Sequence, residues 1–418
     1  MHSVPSGEDS PSTSDPVGRA LRVARALIPL VVAVYLVRFA LEVQAAGGQD
    51  FLVYKHAGVD VAAGRDPYEL REALPYTYPP ALGLLFAACA RVPDQVAIAA
   101  FLALNVALAF WLVHRLLITR PPGADQPGTG APGAPDRHEV LLLGAILLCS
   151  APFGRSIALG QFNLVLFALL AWDHLWPGRT AGVWTGVAAA IKVTPMAMVL
   201  SHVAERRWRA AVLTVGAFLA VGVITFVAAR ESFVTYWGHL LWDSSRVGGL
   251  GYADNQSLTG LLARLAGESS PPRLSVLALL VPVIAVTFTA AWWGGRGPDR
   301  WIAPMSIGLF GLFFSPVSWS HHWFWLPVFI VWRWHRGHRT EALWLALVLA
   351  VEPLLLVGPS NGWPAPLAGL VTSTYTLVGF YAAIRLLMVA RALTHGRGRA
   401  LARRSRCGTA EAGGVPRG

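Results

Sequence analysis

"FGLFFSPVSWSHHWFWLPVFIVW" (310–332) sets two adjacent imidazoles, His321 and His322, inside a run that is otherwise almost wholly apolar. One buried core helix could explain such a run in a soluble domain, but the rest of the chain is of the same kind. Of its 418 residues 55% are hydrophobic and only 14% charged, and mean hydropathy is +0.51. A soluble domain carries about a quarter charged residues. The sequence therefore reads as an all-α, polytopic transmembrane protein.

Runs near 26–43, 78–92, 96–118, 139–153, 161–176, 180–202, 210–229, 273–293, 302–316, 322–334, 341–358 and 366–391 predict about 12 transmembrane helices, several of them short. The net charge of +11 would suit nucleic acid, but the arginines lie in short loops between apolar runs, as positive-inside topology requires. Nucleic acid is thus not an expected partner; membrane lipids are. Five basic markers orient the chain: Arg19, Arg22 and Arg25; 205–209; 296–300; 333–339; and 397–406. With all five cytoplasmic, both termini are cytoplasmic in a plasma membrane. The Pro/Gly-rich insert 120–139 then falls outside with two arginines of its own, a weak violation of that rule. Residues 1–18 read as a disordered polar tail, 19–395 as the membrane domain, and 396–418 as a basic disordered tail. A basic stretch ahead of the apolar 26–43 also fits a cleaved signal. The long polar tail in front favours an uncleaved span.

Lys55 and Lys192 are the only lysines among abundant Ala, Gly and Pro, a bias that points to a GC-rich, actinobacterial genome. Cys89, Cys149 and Cys407 have no metal or disulfide spacing. No internal repeat is visible, which counts against transporters built from inverted repeats.

This topology sends three polar segments to the external face: the loop 44–77, the loop 231–272, and the turn carrying His321 and His322. In the first, Asp50 follows two glycines at the end of the first span, with Tyr54 behind it and "YTYPP" (76–80) further on. A carboxylate held there can act as a general base on a hydroxyl. Asp60, Asp66, Glu69 and Glu72 share the loop, so composition does not single out Asp50, and a solvated acid is the plainer reading. Lys192 lies in mid-span in "AAAIKVTPMAMVL" (188–200), about ten residues from either end. A cation there faces a cavity or an anion, unless it snorkels to an interface. Pro195 can break that helix.

The second loop contains "LGYADNQSLTGLLARLAG" (250–267). Leucines at 258, 261, 262 and 265 predict an interfacial amphipathic helix, with Arg264 placed to meet a lipid phosphate or to anchor the helix. The sequon Asn255-Gln256-Ser257 is coincidental in a bacterial membrane protein. Neighbouring helical positions diverge by about 100°, so His321 and His322 converge only on irregular backbone, which Pro316 and Pro327 allow. No carboxylate or cysteine at fixed spacing completes a metal site. Phosphate or sugar contacts compete with membership of the aromatic belt of Trp319, Trp323 and Trp325. In "GQFNLVLFALL" (160–170), Gln161 and Asn163 read as a polar helix entry, with Arg155 just before.

Six segments, taken in order, resemble glycosyltransferase family 87, a group of C-type membrane glycosyltransferases. They are "DFLVYKHAGVDVAAGRDPYEL", "YTYPPALGLLF", "GQFNLVLFALL", "IKVTPMAMVL" with "RRWRAA", "DNQSLTGLLAR" and "SPVSWSHHWFW", across about 50–325. The resemblance implies a C-type glycosyltransferase-like fold with external loop helices, and a polyprenyl-phosphate-mannose-dependent α-1,2-mannosyltransferase. The donor is then a polyprenyl-phosphate sugar, the acceptor a lipid or glycan, and transfer inverting and external. Asp50 is the implied catalytic base. Lys192, Arg264, His321 and His322 are candidates for the donor phosphate, and Tyr54, Tyr78, Asn255 and Gln256 for the sugars. A lipid phosphate donor needs no divalent metal or other cofactor, and no DxD sequence occurs. A lipid-linked sugar flippase is the rival. It requires polar groups strung through the membrane depth rather than gathered at one face.

Overall fold

A computed structural model describes residues 47–69, 74–120, 137–243, 246, 248–267, 271–352 and 363–411, with scattered positions between 26 and 41; at 365 and from 395 onward only the backbone is described. Most of the expected first span, most of the Pro/Gly insert, Glu72 and the termini 1–25 and 412–418 lie outside these residues. The described chain is helical, apart from one antiparallel bridge between Asn255 and Trp319.

Four described helices are long and apolar enough to cross a membrane: Asp94–Ile118, Trp208–Ala228, Arg273–Gly294 and the Thr374–Thr394 part of Thr374–Glu411. Arg137–Leu148 and Ala151–Ala158, bent by 51° at their junction, make a fifth if counted as one span. Their outer faces are oily: Val212, Val223 and Val227 are 70%, 63% and 78% exposed, and Leu274 is 81% exposed. Contiguous exposed apolar helix surface is the reverse of a soluble protein's and suits lipid contact. This is a membrane protein.

Twelve full-length crossings are not what these helices provide. The run at 78–92 is the eight-residue helix Pro80–Ala87. The run at 180–202 breaks into Val183–Ile191, a 3-10 turn Thr194–Met198 and Val199–Ala204. Lys192 caps the first piece with extended backbone (φ −145°, ψ 125°) and Pro195 is the second residue of the turn. Helical backbone also continues to Glu411, through the stretch expected as a disordered tail.

The opening stretch forms the Ile302–Phe314 helix, a 3-10 turn Ser320–His322 and the Trp325–His335 helix. The last has 11 residues, roughly 16 Å at 1.5 Å each, against a hydrocarbon core of about 30 Å. It is apolar on every side but that of Arg333, which pairs with Glu341, because it is buried all round: Trp325 to Trp334 are all buried, Trp332 at 0% and Trp334 at 2% exposure. It packs on Arg339–Val351 and also touches Asp94–Ile118, Ile302–Phe314 and the last long helix.

Several helices run between two polar ends of this core. At one end three of the five basic loops touch. Arg336 bonds Asp299 at 3.0 Å, Arg296 donates to the carbonyl of Ala204 at 3.3 Å, and Arg207 donates to that of Asp173 at 3.3 Å. Asp173, at the C-terminus of Asn163–His174, also accepts from the backbone N–H groups of Gly182 and Thr185, at the start of Val183–Ile191. The other ends of those two helices carry Asn163 and Lys192, and there the second polar cluster lies.

Candidate active site

Two left-handed glycines build the entrance. Gly48 (φ +73°) precedes the Gln49–Ala62 helix and Gly160 (φ +68°) precedes Gln161. Their strands pass close enough for Gly48 N–H to reach the Ala158 carbonyl (3.3 Å) and Asp50 N–H the Leu159 carbonyl (3.1 Å). A Cβ on Gly160 would lie 2.8 Å from Cβ of Phe51, so only glycine satisfies both the backbone angle and the contact. Asp50, in the first turn of its helix, is thereby laid against Gln161, whose Nε2 donates to Asp50 Oδ2.

From Gln161 the network runs to Lys192. Gln161 Oε1 accepts from the hydroxyls of Tyr54 (2.9 Å) and Tyr78 (3.3 Å) and from Asn163 Nδ2 (3.3 Å). Lys192 Nζ donates to Tyr78 Oη (3.2 Å) and Asn163 Oδ1 (3.0 Å), and lies 3.1 Å from His322 Nε2. It also sits 5.0 Å from the centre of the Tyr78 ring. The break after Ile191 is what turns the ammonium into this cluster; polar groups of an interrupted helix are tolerated at membrane depth where they line such a site. Burial raises the Asp50 carboxyl above its ordinary pKa, while the Gln161 hydrogen bond, Lys192 and Arg155 oppose that rise. A carboxylate so placed can take a proton from a hydroxyl, and a cation beside it can receive a phosphate.

Residues 76–316 match the model of glycosyltransferase family 87. The chain belongs to glycosyltransferase family 87. It is similar to a polyprenol-phosphate-mannose-dependent α-(1-2)-phosphatidylinositol mannoside mannosyltransferase of Mycobacterium tuberculosis, at 33% identity over 62% of each chain. That alignment spans less than two thirds of the relative's length. It is also similar to polyprenol-phosphate-mannose-dependent α-(1-2)-phosphatidylinositol pentamannoside mannosyltransferases of Mycobacterium tuberculosis, at 29% over 74% of each chain, and of Mycolicibacterium smegmatis, at 30% over 68% of each. No solved structure matches the chain.

In this family 87 chain, then, Asp50, Tyr54, Tyr78, Lys192 and His322 share one cluster. His321 does not join it in the same way. Its ring stands at 84° to that of His322, is 3% exposed, and puts Nδ1 3.9 Å from Asp254 Oδ2. Asp254 in turn bonds Arg155 (2.8 Å) and Ser320 (2.5 Å).

Asn255 and Gln256 are placed elsewhere than expected, and Arg264 follows the second of its two readings, as an anchor of its helix. Asn255 Nδ2 donates to the Leu250 and Pro316 carbonyls (3.0 and 3.1 Å), and its Oδ1 accepts from the Ser257 and Ser318 N–H groups (3.2 and 2.9 Å). Gln256 Nε2 donates to Ala253 and Thr372 carbonyls (both 2.6 Å), and its Oε1 accepts from Tyr375 N–H at 3.0 Å. Both residues are 0% exposed. An amide offers two donors and two acceptor sites, so their capacity is spent on the protein, not turned toward a sugar. Arg264 donates to the Tyr252 and Asn255 carbonyls and to Ser373 Oγ (2.8, 2.7 and 2.7 Å). These three fasten the Leu258–Ala266 helix and the turn at 316–320 to the last long helix, and so hold the histidine turn in place. Gln161, Arg155 and Asp254 are the site residues that the sequence reading left as background. The signal for Gln161 lay within the "GQFNLVLFALL" segment of the resemblance.

Proposed function

We propose that this family 87 glycosyltransferase transfers mannose from a polyprenyl-phosphate-mannose donor to a lipid-linked glycan of the phosphatidylinositol mannoside class. Transfer takes place at the external membrane face, with inversion. The observation that carries the reading is the single hydrogen-bonded cluster joining Asp50 to Lys192 and His322 through Gln161 and Tyr78. Asp50 takes the proton of the acceptor hydroxyl. That oxygen forms the new bond to the anomeric carbon from the face opposite the leaving group. The bond from anomeric carbon to phosphate oxygen breaks, and the polyprenyl phosphate departs with the negative charge. Lys192 and His322 stabilise that charge where it develops. Tyr54 and Tyr78, which bond Gln161 between base and cation, contact the sugar.

The named substrates of the relatives support the donor and acceptor classes. The gathering of basic loops at the end opposite the cluster supports an external site, a cytoplasmic basic end and cytoplasmic termini. An even number of crossings, about twelve once short and broken helices are counted, completes this topology.

The test supplies membranes containing the chain with radiolabelled polyprenyl-phosphate-mannose and phosphatidylinositol mannosides. Label moves to the acceptor, and Asp50→Asn lowers the rate by about 10²–10⁴-fold with membrane insertion unchanged. Near-normal turnover of the Asn variant overturns the assignment of the base.

A further inference from the structure

We infer that Gln161 is the positioning residue for Asp50 and sets the separation between the base and the donor-phosphate cation; this rests on the reading of Asp50 as the base. A glutamine side chain is ambiguous until its neighbours decide which end is the amide nitrogen. Here Asp50, which when ionised can only accept, takes one end, and Asn163, whose Oδ1 is claimed by Lys192, turns its Nδ2 to the other, where the Tyr54 and Tyr78 hydroxyls also donate to Oε1. The NH₂ group is thereby left facing Asp50 Oδ2. Gln161 is itself immobilised, since it is 7% exposed, its N–H reaches the Ser156 carbonyl (2.8 Å), and its carbonyl accepts from Asn105 Nδ2 (3.1 Å). Asp50 Oδ2 is held by a fixed donor, and Oδ1 is the oxygen that takes the acceptor proton. Tyr78 and Asn163, which bond Gln161 on one side, are the residues that Lys192 bonds on the other. One amide therefore spaces the two charged groups that act on opposite sides of the transferred sugar.

The hydrogen bond also favours the ionised form of Asp50, as do Lys192 and Arg155, while burial opposes it; the Tyr54 and Tyr78 hydroxyls, which bond Gln161, are the other titratable groups of the cluster. The experiment is the pH profile of kcat/KM for mannose transfer in membranes containing quantified Gln161→Met, Gln161→Glu and Tyr54→Phe variants. Losing a hydrogen bond to a charged group moves the acidic limb of Gln161→Met up by about one to two pH units. Gln161→Glu keeps the shape but sets two carboxylates side by side, and its limb moves further in the same direction. A merely structural role lowers the rate equally at every pH and leaves the limb where it is. Tyr54→Phe, which removes one of the donors orienting the amide, moves the limb up by about half a unit and serves if both Gln161 variants are lost from the membrane. An unmoved limb in the variants that insert overturns the inference. If Asp50→Asn is inactive while the limb is unmoved, Gln161 alone is misassigned; if Asp50→Asn is active, the base itself is.

Discussion

Gly58→Ala is expected to disable transfer from a position that touches no reacting group. Asp50, Tyr54 and Gly58 lie four residues apart on one stripe of the Gln49–Ala62 helix. The helix crosses Pro80–Ala87 at Gly58, where an added Cβ would sit 2.4 Å from the Phe86 carbonyl carbon and 2.7 Å from Ala87 N. These are backbone atoms and have no rotamer with which to yield. Restoring ordinary contact at 3.4 Å requires the helices to part by about 1 Å, and a helix moves as a rigid body over one or two turns. Tyr54 Oη, now 2.9 Å from Gln161 Oε1, then stands beyond hydrogen-bond reach, and Asp50 leaves Gln161 with it. A misplacement of about 1 Å costs on the order of 10²-fold in rate, and overpacking costs about 1–3 kcal/mol of stability. The assay is kcat/KM for mannose transfer, with melting in detergent measured on the same samples. Gly216→Ala and Gly222→Ala, in the exposed Trp208–Ala228 helix with nothing within 4 Å of an added Cβ, are the controls and keep full activity. Wild-type transfer by Gly58→Ala would refute the claim that the helix contact sets the position of Asp50.

Lys192→Met is expected to lower kcat/KM for the donor by about 10²–10³-fold with normal insertion, and an unchanged value rejects its role at the leaving phosphate. Gln256→Leu leaves the Ala253 and Thr372 carbonyls and the Tyr375 N–H without partners at about 1–3 kcal/mol each; a large drop in melting temperature should follow, and melting within a degree or two of wild type contradicts the fastening role. At the basic end, burial pushes the Glu205 carboxyl up to about 7 despite its bond to Arg207 at 3.1 Å. A carboxyl whose folded pKa is raised holds more protons folded than unfolded between about 4.5 and 7, so stability falls as pH rises through that window. Glu205→Gln should flatten this part of the melting curve against pH, and a slope identical to wild type would show that Glu205 is not its source.

The sequence by itself determined what depends on composition and local pattern. The membrane class follows from too few charges and too much apolar surface. The break at Lys192 was legible from Pro195, and the Leu258–Ala266 helix from its leucine spacing. Lys192, His321 and His322 stood out as polar groups in apolar runs, whereas Asp50 was marked by the resemblance to family 87 and not by its setting. Tertiary structure alone decided which polar residues meet. Asp50 and its loop neighbours Asp60 and Asp66 look alike in sequence, and only the passage of Gly48 against Gly160 brings Asp50 to Gln161. His321 and His322 are adjacent, yet the 3-10 turn sends one ring toward Asp254 and the other to Lys192. Asn255 and Gln256 have the chemistry of sugar ligands, and their hydrogen bonds are consumed by backbone distant in sequence. Likewise, a run such as 325–332 is apolar whether it faces lipid or other helices; hydropathy registers the absence of water, and only packing says what replaces it.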